Sequence, residues 1–498
     1  MGFDEAPEKQ TPMVKKLYLG QKLRRLREQK AMTQAALAGL LEISASYLNQ
    51  IEGNQRPVTL HILLRLCTLF NLDPASFAED EEARLVADLR EVMSDPLFSG
   101  PASGTVELRN VAAASPAVVK RLLTLHQAYH KLRERAGVAG YDPAEPKATL
   151  EALSPGGNLP YEEVRDYFHY CNNYVEELDF AAEQLAASAA MTIGDMQLDL
   201  TRHFRDRHNV RIEIQESVGD QGTMRRFDGV SRTLFISPQL QGPSRTFQLA
   251  CQIALLDYGD MIDRLVSAGN FTTADARSIC RVGLANYFAG ALVMPYGPFL
   301  AAARSVRHDV EILSTRFGVS FEQASHRLST LQRPGARGIP FYFVRVDPAG
   351  NITKRHSATR FQFARFGGAC PLWNVHEAFA HPGKILVQLA RMPDGIEYLS
   401  IARTVHKPGG GYLRPTRHFA VGLGCEAAYA SELVYSAGID TRDASAAVNI
   451  GINCRICERT DCQQRAFPPI GGTLSVDESK RSFVPYEFTF PSMATSGS

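Results

Sequence analysis

The spacing of apolar residues separates a helical first part of the chain from a later part that contains strands. Over the first 190 residues, apolar side chains recur every three or four positions, as they do in amphipathic helices. The pattern then alternates over residues 210–217 and again over residues 339–355, where the sequence IPFYFVRVDPAGNITKR predicts two strands joined at DPAGN. Helices followed by short sheets predict a multidomain α+β protein.

Two short helices are predicted close to the N-terminus. Thr33 is a candidate N-cap for a helix over residues 34–40, and Ser44 is a candidate N-cap for a second helix over residues 44–52. The segment that precedes them, residues 15–30, has seven Lys or Arg residues and one acidic residue. A pair of short helices that follows such a basic segment predicts DNA binding, and a basic bundle that docks protein is the alternative.

This region resembles the Cro/C1-type (XRE) family of DNA-binding domains over about residues 15–77. The resemblance is carried by the Gln that begins the first helix, by SASYLNQIE in the second helix and by NQRP after it. In that family the second helix lies in the major groove. The resemblance therefore implies a double-stranded DNA operator as a partner. The DNA-facing residues that it implies are Gln34, Ser44, Ser46, Tyr47, Asn49, Gln50, Asn54 and Arg56.

A group of aromatic residues lies in a segment that is predicted to be one helix over residues 161–187. Its side chains are those of Tyr167, Phe168, Tyr170 and Tyr174. One interpretation is a face that packs against another helix. The other interpretation is the wall of a pocket for a nucleotide or an acyl group, because Tyr offers both apolar surface and a hydroxyl group.

The segment that ends in ANYFAGALVMP resembles the ImmA/IrrE family of zinc metallopeptidase-like domains. The metal helix of that family carries His-Glu-x-x-His, in which two His bind Zn and the Glu acts as a base. Here the matching positions read CQIAL, so Cys251, Gln252 and Leu255 replace the three functional residues. The resemblance implies a degenerate zincin-like domain, and we expect no hydrolysis by this route. Its cleft is a candidate ligand pocket.

Three cysteines stand close together in the segment CRICERTDC. Cys454, Cys457 and Cys462 place three thiols on one compact turn. A [4Fe–4S] cluster or a tetrahedral Zn site needs four ligands. The sequence has one C-x2-C pair here, whereas structural Zn sites more often use two, so we expect a [4Fe–4S] cluster. Zn and unligated thiols are the alternatives, and the spacing also resembles that of the WhiB-like cluster regulators.

Two cysteines upstream compete to be the fourth ligand. We favour Cys425, because a strand end beside a helix start offers backbone N–H groups that stabilise a thiolate. Cys370 would then pack beside Trp373. Arg455 and Arg459 are among the cations that would offset the charge of a cluster.

The whole chain resembles the family of short-chain fatty acyl-CoA transcriptional regulators. The segments that carry the resemblance are VSFEQASHRLSTLQRPGARGIPF, GGACPLWNVHEAF, LGCEAAYA and CRICERTDCQQRAFPP. The family implies sensing of acetyl-CoA or propionyl-CoA, control of genes for short-chain fatty acid and propionate metabolism, and in some members an iron–sulfur cluster. A CoA site needs cations for phosphates and an apolar channel. Beside the aromatic group named above, the candidates are Arg226, Lys354, Arg355 and Arg360.

Composition bounds the remaining expectations. The 498 residues have a formal net charge of +1 and include nine cysteines, and we found no apolar run long enough to span a membrane. We therefore expect a cytoplasmic regulator without membrane partners, active as a homodimer or tetramer. The predicted domains are a helix-turn-helix domain (1–80), a helical linker and ligand or oligomerisation region (81–190), the degenerate ImmA/IrrE-like domain (191–315) and a mixed α/β cluster-binding domain (316–498).

Two other functions remain open at this point. One is an iron–sulfur redox-sensing transcription factor, for which acyl-CoA would be incidental. The other is a residual metallopeptidase, against which the sequence CQIAL argues.

Overall fold

A computed structural model describes much of the chain, and it divides the chain into two compact units. The described residues are essentially 32–52, 80–93, 105–116, 160–215, 222–269, 271–363, 369–407, 416–441, 443–469 and 473–489, with isolated positions between residues 23 and 129 and at 412–413. One unit comprises residues 1–87 with 105–119. The other comprises residues 88–104 with 120–498.

The first unit contains the predicted pair of short helices. Helix α1 (Gln34–Leu41) and helix α2 (Ala45–Glu52) are each preceded by a capping residue. The side-chain oxygens of Thr33 and Ser44 accept hydrogen bonds from backbone N–H groups in the first turn that follows. Both predicted caps are therefore confirmed. The buried apolar side chains of this pair are Leu37, Ala38, Leu41, Leu48 and Ile51.

Helix α3 (Asp80–Met93) and helix α4 (Thr105–Ala114) follow in the chain. The second unit then begins its main helical layer. Its helices are α5 (Pro160–Tyr170), α6 (Glu176–Ser188), α7 (Gln197–His208), α8 (Gly242–Asp257), α9 (Gly259–Ala268), α10 (Ala274–Val293), α11 (Tyr296–Ser305), α12 (Val310–Phe317) and α13 (Phe321–Leu328). The long helix α10 packs against α6, α8 and α5, so it forms the centre of this layer.

The prediction of one helix over residues 161–187 was wrong. The chain leaves the helix after α5 and starts again at α6, because Asn172 and Asn173 adopt positive φ angles of 50° and 56°. Asn tolerates this left-handed conformation better than most residues do. The side chain of Asn173 also donates a hydrogen bond of 2.9 Å to the backbone carbonyl of Ser357, which fixes the break.

A small sheet lies between helices α7 and α8 in the sequence. Its strands are β1 (Arg211–Ile214), β2 (Arg225–Asp228) and β3 (Thr233–Ile236), in the order β1-β3-β2. Strands β2 and β3 form an antiparallel hairpin, and β1 pairs with β3 in parallel. The sequence GTMRRFDGVSRTLFISPQL predicts a hairpin with Phe235 and Ile236 in its returning strand, and the structure confirms it.

A six-stranded mixed sheet forms the core of the C-terminal region. Its strands are β4 (Tyr342–Val346), β5 (Ile352–Ser357), β6 (Leu386–Arg391), β7 (Glu397–Lys407), β8 (Arg417–Glu426) and β9 (Val448–Asn449), in the order β5-β4-β8-β7-β6-β9. The pairs are antiparallel except for β6 with β9. A short helix, α14 (Asn374–Glu377), and a two-stranded ribbon, β10 (Thr473–Ser475) with β11 (Glu487–Thr489), complete the described elements.

The sequence RHFAVGLGCEAAYA predicts a strand that leads into a helix at about residues 425–435, and here too the structure is different. Strand β8 continues to Glu426, and two 3-10 turns follow at Ala427–Glu432 and Val434–Ser436. The tight turns keep this segment against the end of the sheet, where Ala430 and Leu433 are buried.

The two faces of the six-stranded sheet belong to two different apolar cores. Phe343, Leu399 and Cys425 point into the core that the helices α5–α13 form. Tyr342, in the neighbouring position on β4, points into the other core together with Trp373. This alternation follows from the two-residue period of a strand. It decides which residues of the C-terminal region can meet.

Candidate functional site

A cleft of about 550 Å³ lies between the small sheet, helices α8, α10 and α13, and one end of the six-stranded sheet. Ligand pockets for small molecules and cofactors commonly have volumes of about 300–1,000 Å³. The ImmA/IrrE-like helices and the C-terminal sheet both contribute walls. The cleft is therefore the first candidate for an effector site among the described residues.

Cations dominate the charged residues that line this cleft. Among the described lining residues, seven are Lys or Arg and one, Glu322, is acidic. The seven cations are Arg225, Arg226, Arg327, Arg345, Lys354, Lys407 and Arg417. Such an excess of one sign focuses the field in a cleft and favours an anionic ligand.

Glu322 organises two of these cations. Its carboxylate lies 2.7 Å from Arg345 Nη1 and 3.1 Å from Lys407 Nζ. Burial raises the pKa of Glu322, but the attraction of Lys407, Arg345 and the nearby Lys354 outweighs burial, and the net pKa lies below its usual value. A permanently ionised Glu322 therefore holds the two cations in place at the rim of the cleft.

Lys354 is the cation whose charge is most sensitive to its surroundings. Burial, assisted by the repulsion of Arg345 and Lys407, lowers the pKa of Lys354 to about 8 although Glu322 opposes this shift. Its ammonium group lies 5.8 Å from the centre of the Phe343 ring. An anion that binds near Lys354 would supply the missing counter-charge.

His326 brings an unsatisfied polar atom to the cleft. Its Nε2 is buried and has no hydrogen-bond partner among the described residues. Burial and the neighbouring cations hold the pKa of His326 well below its usual value, so the ring is neutral at pH 7. Since an unpaired buried polar atom is costly, a ligand atom that hydrogen-bonds to Nε2 would be favoured.

Apolar side chains form the rest of the cleft wall. They include Met224, Phe235, Leu240, Phe247, Met294 and Val405. The side chain of Arg226 lies over the Phe235 ring, with 4.8 Å between the guanidinium carbon and the ring centre. Cationic and apolar surfaces therefore alternate within one cleft, which suits a ligand with charged and apolar parts.

Helix α8, which matches the metal helix of the ImmA/IrrE family, passes beside this cleft. It carries Cys251, Gln252 and Leu255 in place of the two His ligands and the catalytic Glu. Cys251 is fully buried and its Sγ donates a hydrogen bond of 3.1 Å to Asn286 Oδ1. Burial raises the pKa of the Cys251 thiol to about 11, so it is a thiol at pH 7. Asn286 and the neighbouring Tyr287 line the cleft. The helix supports a wall of the cleft instead of a catalytic metal.

Three of the predicted acyl-CoA residues, Tyr167, Phe168 and Tyr174, do not line the cleft. Phe168 packs on Gly283, where an added Cβ would lie 2.9 Å from its ring. Tyr167 contacts the rings of Phe168 and Phe271 at centroid distances of 5.6 and 5.5 Å. The hydroxyl of Tyr174 accepts a 2.9 Å hydrogen bond from Arg333 Nε. The interpretation as a helix-packing face fits these three residues. The side chain of Tyr170 lies outside the described residues.

Two of the four predicted cations line the cleft and two do not. Arg226 and Lys354 are lining residues. Arg355 follows Lys354 on β5, and strand alternation therefore places it on the other face, where its guanidinium carbon lies 5.9 Å from the centre of the Phe363 ring. Arg360 is close enough to Tyr398, in the opposite core, to affect its pKa. The prediction of Arg355 and Arg360 is corrected on this ground.

Several lining residues were missed from the sequence. Glu322, Arg345, Lys407 and His326 come from three separate segments. A signal for one of them was present, because Arg345 is the cross-strand partner of Lys354 in the predicted β4–β5 hairpin. The segments that contain Glu322, His326 and Lys407 reach the cleft only through the tertiary fold.

The fourth cysteine beside the CRICERTDC segment is Cys370. The residues Cys370, Cys454, Cys457 and Cys462 line one small cavity, together with Arg459 and Arg465. The predicted fourth ligand, Cys425, is wrong on geometry: its position on β8 faces the helical core, whereas Cys370 belongs to the core on the other side of the sheet.

The four cysteines of this cavity supply the thiol donors that either a [4Fe–4S] cluster or a Zn site needs. Among the described residues, no three of these thiols lie within 4.8 Å of one another. In a tetrahedral site with Zn–S bonds of about 2.3 Å, the sulfurs are about 3.8 Å apart. A four-iron cube holds its thiolates farther apart than a single ion does, and four cysteine thiols are the donor set that such a cluster requires.

Arg465 holds the cysteine segment in shape. Its guanidinium donates hydrogen bonds of 2.7 Å to the carbonyl of Cys454 and 2.9 Å to that of Cys457. Its remaining donor, Nε, is buried and has no hydrogen-bond partner among the described residues. A negatively charged group in the cavity would provide that acceptor. Gly451 is also required, since a Cβ there would lie 2.9 Å from Cys457 Sγ.

The predicted DNA-facing residues that the structure describes are exposed or half-buried in the first unit. Ser44, Ser46 and Asn49 are exposed, and Tyr47 and Gln50 are half-buried. Gln34 Nε2 donates hydrogen bonds to Asn49 Oδ1 at 3.3 Å and to Glu52 Oε2 at 2.7 Å. Arg56 is exposed, 5.7 Å from the centre of the Tyr47 ring. Asn54 lies outside the described residues.

Family models match three parts of the chain. A helix-turn-helix domain matches residues 18–79, an IrrE N-terminal-like domain matches residues 205–329, and the C-terminal domain of short-chain fatty acyl coenzyme A regulators matches residues 330–486. Within the described part of the chain, no helix is both long and apolar enough to cross a membrane.

Curated proteins resemble the chain over almost its whole length. A propionyl-CoA carboxylase regulator from Cereibacter sphaeroides is 47% identical over 95% of this chain and 99% of that protein. The transcriptional regulators RamB and PrpR of Mycobacterium tuberculosis are 46% and 45% identical, each over 95% of this chain and over 98% and 96% of their own lengths. These relatives are named as regulators and not as enzymes, in agreement with the lost ligand set at residues 251–255.

A solved structure supports the same relationship. A chain described as a Mycobacterium tuberculosis transcriptional regulator matches with a TM-score of 0.64 and 48% identity, over 66% of this chain and 100% of that one. The chain therefore belongs to the family of short-chain fatty acyl-CoA transcriptional regulators.

Proposed function

We propose that this protein is a DNA-binding transcription regulator whose effector is a short-chain acyl-CoA bound in the 550 Å³ cleft. The observation that carries the proposal is the charge of the cleft, in which seven cations and one carboxylate stand beside apolar walls. A CoA thioester combines several phosphate charges with a thin, largely apolar arm. The two kinds of surface in the cleft match the two parts of that ligand.

The cleft residues suggest separate roles for different parts of the ligand. Arg345 and Lys407, held by Glu322, would bind phosphate oxygens through charge-assisted hydrogen bonds. The neutral His326 cannot serve as a cation at pH 7. Its unpartnered Nε2 would instead bond to a neutral polar group, such as an amide of the pantetheine arm.

Propionyl-CoA is the first ligand to test, because one of the relatives is named as a regulator of propionyl-CoA carboxylase. Acetyl-CoA is the natural competitor. A single methylene group in an apolar pocket changes binding by about 1–3 kcal/mol. Discrimination between the two thioesters is therefore expected to be modest.

Helix α2 would contact DNA with its exposed polar side chains. Ser46 and Asn49 are exposed on that helix, and hydroxyl and amide groups read base edges in the major groove. Arg56, beside them, would contribute to the binding of phosphates. The hydrogen bond from Gln34 positions Asn49 for this role.

A [4Fe–4S] cluster is proposed for the cavity of Cys370, Cys454, Cys457 and Cys462. When bound, such a cluster supplies a redox-active or bracing centre that thiolates hold. Backbone N–H groups of Gly451 and Leu372 donate to the sulfur of Cys370 and favour its thiolate, although burial has the larger effect and raises the pKa of that thiol. Zn remains the alternative occupant.

Neighbouring residues on β5 provide a direct test of the ligand site. In Lys354→Met, propionyl-CoA should bind about tenfold more weakly, because a charge-assisted hydrogen bond contributes about 1.5–3 kcal/mol. In Arg355→Met, whose side chain faces the opposite core, affinity should stay within twofold. Isothermal titration calorimetry on full-length protein measures both. Equal losses in the two variants, or a loss in Arg355→Met alone, would refute the proposed site.

A second candidate function is a redox sensor, and the four-cysteine cavity is the observation that favours it. The affinity of the protein for a fluorescently labelled operator distinguishes the acyl-CoA regulator from the redox sensor. The operator is first selected in vitro from genomic DNA fragments. Under strictly anaerobic conditions, the acyl-CoA regulator changes its DNA affinity when propionyl-CoA is added. A redox sensor ignores propionyl-CoA and responds when oxygen is admitted.

A further inference from the structure

The structure points to a second metal site, at the C-terminal ends of helices α7 and α8, where we propose that His203, His208 and Asp257 bind a divalent transition-metal ion such as Zn²⁺. One imidazole nitrogen of each histidine and a carboxylate oxygen of Asp257 all lie within 4.8 Å of one another. The site is distinct from both the cysteine cavity and the positions of the lost peptidase ligands at 251–255, and it goes beyond the function proposed above.

The donor chemistry suits this class of ion. Two imidazoles and one carboxylate are the ligands that Zn and related first-row divalent ions accept. A tetrahedral ion with bonds of about 2.1 Å separates its ligand atoms by about 3.4 Å. Small side-chain rotations therefore bring the three groups to that spacing. Asp257 is 5% exposed, His203 is 9% and His208 is 14%, so the cluster is largely shielded from solvent and is least covered at His208.

The hydrogen bonding of the cluster leaves one ligand atom unsatisfied. His203 Nε2 lies 2.8 Å from Asp257 Oδ2 in a regular hydrogen bond. His208 Nε2 approaches Asp257 Oδ1 to 2.6 Å, but the direction is not that of a hydrogen bond, and this buried nitrogen has no hydrogen-bond partner among the described residues. A metal ion bound to Nε2 would satisfy it.

The fold also places negative potential at this point. His208 is the last residue of α7, and Asp257 is the last residue of α8. Helix C-termini carry partial negative charge, which disfavours a carboxylate and favours a cation. The guanidinium of Arg207 approaches Asp257 Oδ1 to 3.4 Å, but its side chain is 66% exposed and can be displaced.

Calorimetric titration of Zn²⁺ into full-length, anaerobically purified protein tests the proposal. His208→Gln should bind one Zn²⁺ fewer, or bind that ion at least tenfold more weakly, than wild type. His381→Gln is the matched control, because His381 is exposed and near one carboxylate, that of Glu377. Zn²⁺ that binds at the cysteines contributes equally to the titrations of wild type, His208→Gln and His381→Gln. It therefore does not affect the difference in bound Zn²⁺ between them. Equal binding by wild type and His208→Gln, or an equal loss in His381→Gln, overturns the proposal.

A second variant keeps the test decisive if His208→Gln does not fold. Arg207→Gln retains all three ligands and removes the cation that competes for Asp257. Zn²⁺ should bind to it several-fold more tightly and raise its melting temperature more than that of wild type. Unchanged or weaker binding overturns the proposal. Neither titration involves acyl-CoA or DNA. A failure of this metal proposal is therefore distinguishable from a failure of the proposed function.

Discussion

At the level of single residues, the six-stranded sheet decides which cysteine can join the CRICERTDC segment. Leu399 and Cys425 are paired on adjacent strands and face the helices, whereas Ser400 and Gly424, one position along, face the other core. Cys370 lies in that other core with the cysteine segment. The sequence left both cysteines possible because it does not show which face each residue occupies.

Exchanging these two cysteines for serine should have opposite consequences for the cluster. Cys370→Ser removes one of the four proposed ligands. Anaerobically purified protein should therefore lose most of its iron and most of the broad visible absorbance of the cluster. Cys425→Ser is the control, since it changes a buried thiol that has no part in the cavity. Iron content and absorbance that fall in Cys425→Ser, but not in Cys370→Ser, would contradict the assignment.

Lys354 predicts how acyl-CoA binding depends on pH. Its pKa is lowered to about 8, so the ammonium is charged below that pH and neutral above it. Propionyl-CoA affinity should therefore fall as the pH rises through about 8. Because a bound anion raises the pKa of Lys354, binding near that pH should also take up a proton, which calorimetry in buffers of different ionisation enthalpy measures. In Lys354→Gln, the fall and the proton uptake should both disappear, and their persistence would exclude Lys354 as the cause.

At the level of elements, a buried ion pair joins α6 to α13. Arg327 makes hydrogen bonds of 2.8 and 3.0 Å to the carboxylate of Asp179, and both side chains are almost fully buried. The hydroxyl of Tyr287, on α10, donates a further hydrogen bond of 2.6 Å to Asp179. Three helices that line or support the cleft therefore share one carboxylate.

Replacing one member of this ion pair should destabilise the protein. Arg327→Met leaves a buried carboxylate without its main partner, and the free energy of unfolding should fall by about 3–5 kcal/mol. The double variant Asp179→Asn, Arg327→Met should recover most of the loss, because no charge is then stranded. Denaturant unfolding measures both. Arg281→Met, which breaks an exposed pair with Asp263, should cost under about 1 kcal/mol. A double variant as unstable as Arg327→Met would refute this explanation.

The elements that could be predicted are those with local signals. The caps of α1 and α2 and the turn at DPAGN depend on residues within a few positions of each other, and the structure confirms them. The break between α5 and α6 was not predicted, because it depends on Asn173 bonding to Ser357, far along the chain. The cleft was predicted in part for the same reason, since its cations come from β2, β4, β5, β7, β8 and α13.

At the level of the whole molecule, regulation requires that ligand and DNA affect each other. If propionyl-CoA changes operator affinity by some factor, operator DNA must change propionyl-CoA affinity by the same factor, because the two bindings form one thermodynamic cycle. Couplings of this kind are typically about 1–3 kcal/mol, or roughly 5–150-fold. The effect should be visible from both sides of the cycle.

Two titrations check this reciprocity. Operator binding is measured by fluorescence anisotropy with and without saturating propionyl-CoA, and propionyl-CoA binding is measured by calorimetry with and without saturating operator. The two ratios should agree within error. Lys407→Gln removes a cation that pairs with Glu322, so acyl-CoA should bind to this variant more weakly. Its affinity for operator DNA in the absence of acyl-CoA should stay unchanged. A large ratio in one titration and none in the other would show that the protein aggregates or changes its assembly state, and that acyl-CoA is not an allosteric effector of a single species.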